Sequence, residues 1–377
     1  MKYRLMALCL CAALTLAGCG APAPVTESAP PAPTTDTPAE LRGVWVSYIE
    51  LDGLLTDADE ATARQRLDGV MDTCAARGLG AVFFHVRAFG DAYYPSAVYP
   101  PAAAAAPLLA AGFDPLAYAL EAAHSRGLTL HAWVNPYRIG RKAPADTAHT
   151  FQQDGVYYYD PGSAEARRLV LAGIRELLAG YAVDGIHFDD YFYPAGLDGE
   201  QAEPFETLPP AVAVGDWRRQ QVNGLVSAVW SLCHQAGRVF GVSPAARPAA
   251  CRETAYADVA LWLRQRGYVD YLCPQIYYGF THATAPFEAV LAQWTALPRH
   301  SEAALYVGLA LYKAGLTDDP YAGDGRGEWA TGRDILARQL TAARRSGQVT
   351  GFVLFRYGYI TQGGAAAEEL QALQALL

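Results

Sequence analysis

The sequence predicts an α/β fold, a closed (β/α)8 or TIM barrel, on three observations. Short β-branched and aromatic runs alternate along the chain with longer segments of helical period. Glycine follows helix ends that lead into strands, at Arg77-Gly78-Leu79 and Arg126-Gly127-Leu128, where a left-handed residue is expected. No glycine-rich phosphate loop follows the first strand, where Val46-Ser47-Tyr48-Ile49 stands, and this disfavours an open doubly wound sheet.

Taken in chain order, residues 1–18 read as a signal peptide, because Lys2 and Arg4 precede an apolar run too short for a membrane span. Leu16-Ala17-Gly18-Cys19 resembles the bacterial lipobox, so Cys19 is expected to carry acyl chains that attach the protein to a membrane. Gly20 is not the usual retention residue. The expected place is therefore outside the cytoplasm, on the outer membrane if the cell has one and otherwise on the outer face of the cell membrane. Residues 19–39, rich in Pro, Thr and Ala, form an expected disordered tether.

Residues 40–377 are expected to form one barrel domain, a length that this architecture accommodates as a single unit. Strands are expected at 42–48, 81–87, 128–135, 183–190, 239–244, 269–277, 305–311 and 351–357. Helices are expected at 60–77, 115–126, 164–180, 217–236, 254–266, 286–297 and 332–346, with a last one after Gly364. The net charge of −9 disfavours a polyanion held by counterion release, so no nucleic acid partner is expected. Cys74, Cys233, Cys251 and Cys273 lack metal-ligand spacing and read as buried thiols, with one disulfide left open.

The C-terminal strand ends of such a barrel build the active site. Here they read His85-Val86-Arg87, Trp133-Val134-Asn135-Pro136-Tyr137-Arg138, Asp189-Asp190-Tyr191, Ser243-Pro244, Gln275-Ile276-Tyr277 and Arg356-Tyr357. Aromatic faces mixed with fixed polar groups suit sugar rings and their hydroxyls. Asp189 and Asp190 carry the most information. Neighbours within a strand point to opposite faces, so both carboxyls can serve one site only where the strand is ending.

Adjacent carboxyls push their pKa values apart, and glycoside cleavage needs one group protonated and another charged. Consecutive carboxyls suit a substrate whose own 2-acetamido group is the nucleophile, with one Asp orienting it and the other, by preference Asp190, giving the proton. Asp184 opens the same strand and reads as a turn residue on the opposite, stabilising face. His85, His131 and His187 fall on three successive strands, as a hydrogen-bonded inward layer or, alternatively, a metal site.

The chain resembles the bacterial glycosyl-hydrolase-like family 10 over nearly the whole mature domain. The motifs that carry the resemblance are Glu40-Leu41-Arg42-Gly43-Val44-Trp45-Val46, Gly90-Asp91-Ala92-Tyr93-Tyr94, the segment from His131 to Arg138, that from Asp184 to Pro194, and Pro274-Gln275-Ile276-Tyr277. It implies a TIM-barrel glycosidase acting on cell-wall glycan, on strands already stripped of peptide. It also implies catalytic positions at Asp189 and Asp190, with Arg42, Asn135, Gln275 and Tyr277 holding the sugar. The segment from Asp184 to Tyr191 resembles the signature of family 18 chitinases too, except that Tyr191 stands where those enzymes carry their acidic Glu.

The expected site therefore comprises Asp189 and Asp190 for catalysis. Arg42, Trp45, Arg87, Asn135, Tyr137, Tyr191, Gln275, Tyr277 and Arg356 are expected to bind substrate, without metal or organic cofactor, in a monomer. A metal-dependent polysaccharide deacetylase and a non-catalytic glycan-binding lipoprotein are the alternatives.

Overall fold

The computed structural model describes residues 40–197 and 212–377. The signal sequence, Cys19 and the tether lie outside the described residues. The first three parallel strands are β1 (Leu41–Val46), β2 (Ala81–Arg87) and β3 (Thr129–Val134). A small antiparallel sheet of β4 (Arg138–Gly140), β5 (Thr150–Gln153) and β6 (Val156–Tyr159) follows, and the parallel series resumes with β7 (Gly185–Phe188), β8 (Val239–Val242) and β9 (Tyr271–Leu272). It ends with β10 (Ala304–Leu305), β11 (Val307–Leu309) and β12 (Gly351–Leu354).

The nine parallel strands form a nearly closed barrel in the order β10-β9-β8-β7-β3-β2-β1-β12-β11. The expected strand at 305–311 is divided at Tyr306: β10 pairs with β9 and β11 with β12. Backbone hydrogen bonds from Gly308 N to Pro274 O (2.9 Å) and from Phe355 N to Leu309 O (2.8 Å) link this stretch to both neighbours, which completes the ring.

Helices cover the outside for the reasons their sequences supply. Ala164–Gly180 buries Ala166, Val170, Ile174 and Leu177, an apolar stripe at helical spacing, and Ser163 caps its first turn. Asp59 and Asp114 cap Glu60–Ala76 and Pro115–His124 in the same way. Gly78 and Gly127 both take φ of +70° past helix ends, the conformation that their position in the sequence demands. The four described cysteines are free and buried.

Three local expectations are corrected. The first strand stops at Val46 instead of continuing to residue 48, because Ser47 and Glu50 form a capping box that starts the helix Tyr48–Leu55. The helix expected at 254–266 is two helices, Pro248–Thr254 and Val259–Arg264, the second capped by Asp258. Residues 138–159, expected as connection, hold the small sheet, whose hairpin turns at Asp154 and Gly155, both at positive φ.

The barrel interior is filled by Trp45, Phe83, Trp133, Tyr271 and their neighbours, separately from the outer core. Such large rings fit because facing positions are glycine: a Cβ on Gly241 would lie 2.1 Å from the Tyr271 ring, and one on Gly185 would lie 2.7 Å from His131 Nδ1. Gly241→Ala is accordingly expected to cost about 1–3 kcal/mol of stability, as overpacking does. A thermal melt with an unchanged midpoint would contradict this packing.

Candidate active site

The C-terminal end of the barrel carries a cavity of about 210 Å³ whose lining includes Asp189, Asp190, Asn135, Gln275, Tyr277 and Tyr191. The strand β7 ends at Phe188, so the next two residues leave the alternating pleat and both carboxyls reach one cavity. Asp189 is buried, and its Oδ1 accepts hydrogen bonds from Asp190 N and Gln275 Nε2, each at 2.8 Å. Gln275 Nε2 also donates to Ser243 O at 3.0 Å, so one amide ties the ends of three strands together.

Burial and then the charge of Asp190 hold the Asp189 carboxyl well above the usual carboxylate range. Burial raises Asp190 as well, but the hydrogen bond from Asp189, its own backbone amide and the Arg138 charge oppose that rise. The free site therefore keeps one proton shared between the two carboxyl groups. Tyr277 closes one side, stacked on Phe355 at 5.5 Å, and burial together with the negative charge of the Asp pair keeps its hydroxyl protonated.

The floor is a polar layer inside the barrel. Trp45 Nε1 donates to His187 Nε2 at 3.1 Å, and since an indole can only donate, the His187 proton sits on Nδ1. That nitrogen donates to Tyr271 Oη (3.0 Å), which in turn donates to His131 Nδ1 (3.1 Å). Ser243 Oγ adds a contact to His187 Nε2 at 3.2 Å. Burial pushes His131 down to about 4 and His187 well below its ordinary value, so both rings are neutral at physiological pH. The inward histidine layer is thus a hydrogen-bonded core. His85, stacked on Trp133 at 3.7 Å, lines the cavity with a Nε2 that lacks a partner, as does Asn135 Oδ1. Both atoms are buried, and the Asn135 side chain acts on the His85 ring.

Of the residues expected to bind substrate, Trp45, Asn135, Tyr191, Gln275 and Tyr277 meet in this cavity with the Asp pair. Four do not. Arg42 sits near the start of β1 and pairs with Glu40, at the opposite end of the barrel. Arg87 is displaced by a bulge in β2 between His85 and Arg87, and its guanidinium is buried against Asn135 O, Pro136 O and the Tyr99 ring. Tyr137 follows the end of β3 and packs in the outer apolar core. Arg356 pairs with Glu50, which also binds Ser47 N at 2.9 Å and thus steadies the cavity wall from behind. Asp184 caps the opposite face, accepting from Leu130 N and pairing with His124.

The cavity also takes Ser47, Tyr48, Ile49 and Arg138, which were not among the expected site residues. The Ser-x-x-Glu spacing from Ser47 to Glu50 was the available signal for the first three, since it marks a helix start at a strand end.

The family profile described as Glycosyl hydrolase-like 10 matches residues 40–322. The chain is 28% identical over 411 residues to Glycosyl hydrolase DigH of Escherichia coli (strain K12), covering 95% of this chain and 92% of that protein. It is 31% identical over 361 residues to Glycosyl hydrolase YngK of Bacillus subtilis (strain 168), covering 84% of this chain and 68% of that protein. Among solved structures, the PgaB (BpsB) glycoside hydrolase domain from Bordetella bronchiseptica superposes with a TM-score of 0.58 at 17% identity, over 89% of this chain and 99% of that one. This last likeness is one of fold.

The raised Asp189 carboxyl has a consequence for stability. The folded state holds this proton to a higher pH than the unfolded chain, so stability falls as pH rises from the unfolded carboxyl value, about 3.9, to the folded one, and stays reduced above it. Asparagine keeps the Oδ1 acceptor and cannot ionise. Asp189→Asn is expected to raise Tm at neutral pH, by a margin that vanishes toward pH ~4. Calorimetry at a series of pH values reads this, and a variant that melts lower at neutral pH would refute the upward shift of the Asp189 carboxyl.

Proposed function

The chain belongs to the glycosyl hydrolase-like 10 family, and from that premise we propose that it is a glycoside hydrolase acting on a bacterial cell-wall glycan built of N-acetylhexosamines. Peptide-free peptidoglycan strands are the proposed substrate, and Asp189 and Asp190 the catalytic carboxyls. The observation that carries this reading is the adjacent carboxyl pair, both members pushed up by burial, in an aromatic-walled cavity at the barrel mouth. The names of the two relatives support the reaction class.

The proposed mechanism follows from the pair's asymmetry. When the substrate's acetamido N–H approaches Asp189, it adds a donor to those already supplied by Gln275 and the Asp190 amide. More donors stabilise the Asp189 carboxylate, so the shared proton moves across to Asp190. Asp190 gives it to the glycosidic oxygen as the acetamido carbonyl oxygen attacks the anomeric carbon and the bond to the leaving sugar breaks. Water then opens the resulting oxazolinium ring, losing a proton to Asp190. Tyr277 Oη, kept protonated, is proposed to orient the acetamido group by donating to its carbonyl oxygen before the attack.

We further propose that Cys19 is lipidated and holds the enzyme at the envelope beside its substrate, residues 20–39 providing reach.

Incubation of the purified protein with peptide-free glycan strands, followed by mass spectrometry, tests the proposal. New reducing ends are expected; release of acetate alone would indicate a deacetylase, and retention without products a binding protein. Asp189→Asn and Asp190→Asn are each expected to slow cleavage by at least ~100-fold. Strands stripped of their acetyl groups should resist the enzyme, and equal cleavage of both forms would exclude participation by the substrate's acetamido group.

A further inference from the structure

The catalytic cavity continues sideways along the small sheet. A hollow of about 410 Å³ shares Tyr48 and Arg138 with it, and a larger one of about 1030 Å³ begins at Asp91, Ile139 and Lys142 of that hollow. The three lie next to one another, each sharing lining residues with the next.

The middle hollow has a distinct charge. Arg138, Arg141 and Lys142 line it, and among the described residues none of the three has a carboxylate partner within ion-pair distance. Arg138 lies over the rings of Phe89 and Tyr191, at 5.0 and 4.8 Å, with its Nε unpartnered. Arg141 and Lys142 are exposed. The one carboxyl in the lining, Asp91, is largely buried, and that burial raises its pKa. A concentration of unpaired positive charge next to the catalytic pair stands out in a chain of net charge −9. Aromatic rings beneath a cation leave the guanidinium edge free for an anion.

We infer that this hollow is a subsite for a carboxylate-bearing sugar, with Arg141 and Lys142 as specificity-determining residues. The inference rests on the glycan reading above and deepens it: the polymer is anionic, with its charge one subsite from the cleaved bond. In peptidoglycan the lactyl carboxyl is tied up as an amide while the peptide is attached and becomes a free anion once that amide is hydrolysed. The cationic hollow is thus suited to that free carboxylate on the sugar itself.

The probe is a pair of peptide-free glycan fragments, one native and one whose lactyl carboxyls have been coupled to methylamine, which leaves the sugars intact and removes the charge. Binding is measured by calorimetry on the Asp190→Asn protein, and cleavage on the wild type. Native fragments are expected to bind about 3- to 10-fold more tightly than amidated ones, a preference that weakens as salt is raised. Arg141→Ala/Lys142→Ala should abolish the preference, and the double change to Glu should reverse it; both positions are exposed, so folding is not at stake. Equal binding of the two fragments, or a preference that survives the double variant, overturns the subsite. Absence of cleavage with the binding preference intact would instead refute the glycosidase reading and leave the subsite standing.

Discussion

The hydrogen bond from Gln275 to Asp189 joins the end of β7 to the segment after β9, and the same amide nitrogen reaches the chain after β8. A buried carboxyl without such a donor would be costly, and with several it would ionise freely. One side-chain donor and one backbone donor leave Asp189 between these limits. It is anchored, yet the pair still holds a proton. The chemistry proposed for the site depends on that balance, because a pair that lost its proton entirely could not protonate a leaving group.

The layer below keeps this arrangement rigid. Trp45, His187, Tyr271 and His131 form a directed chain of hydrogen bonds in which each donor and acceptor role is fixed by the indole at one end. Neutral imidazoles serve here as polar spacers inside a dry interior, where charged ones would require partners. Glycines at 185 and 241 make room for the rings, so packing and polarity of the floor are set by the same strands that present the carboxyls. On the rim, Glu50 couples Arg356 to Ser47 and the helix that carries Tyr48 and Ile49.

Much of this was legible from residue patterns. Strand β2 and the helix Ala164–Gly180 have the boundaries that periodicity predicts, and the Asp pair sits at a strand end as its adjacency requires. The errors have local causes. Parity would place Arg87 on the same face as His85, and a single bulge turned it outward. Tyr137 shares parity with Asn135, but β3 has already ended at Val134, so alternation no longer applies. Asp154-Gly155 carried a hairpin signal in the sequence, and with it the small sheet that holds Arg138 beside the Asp pair.

By itself the sequence determined the repeated strand and helix units, the mouth at which polar residues gather, and the family. These rest on periods of two and 3.6 and on short motifs, which local chemistry enforces. The tertiary structure alone decided that both buried carboxyls of the pair are pushed up, that four expected ligands lie elsewhere, and that cations from the small sheet adjoin the Asp pair. Burial, bulges and side-chain partners distant in the chain control those outcomes, and none of them is a property of residues near one another in sequence.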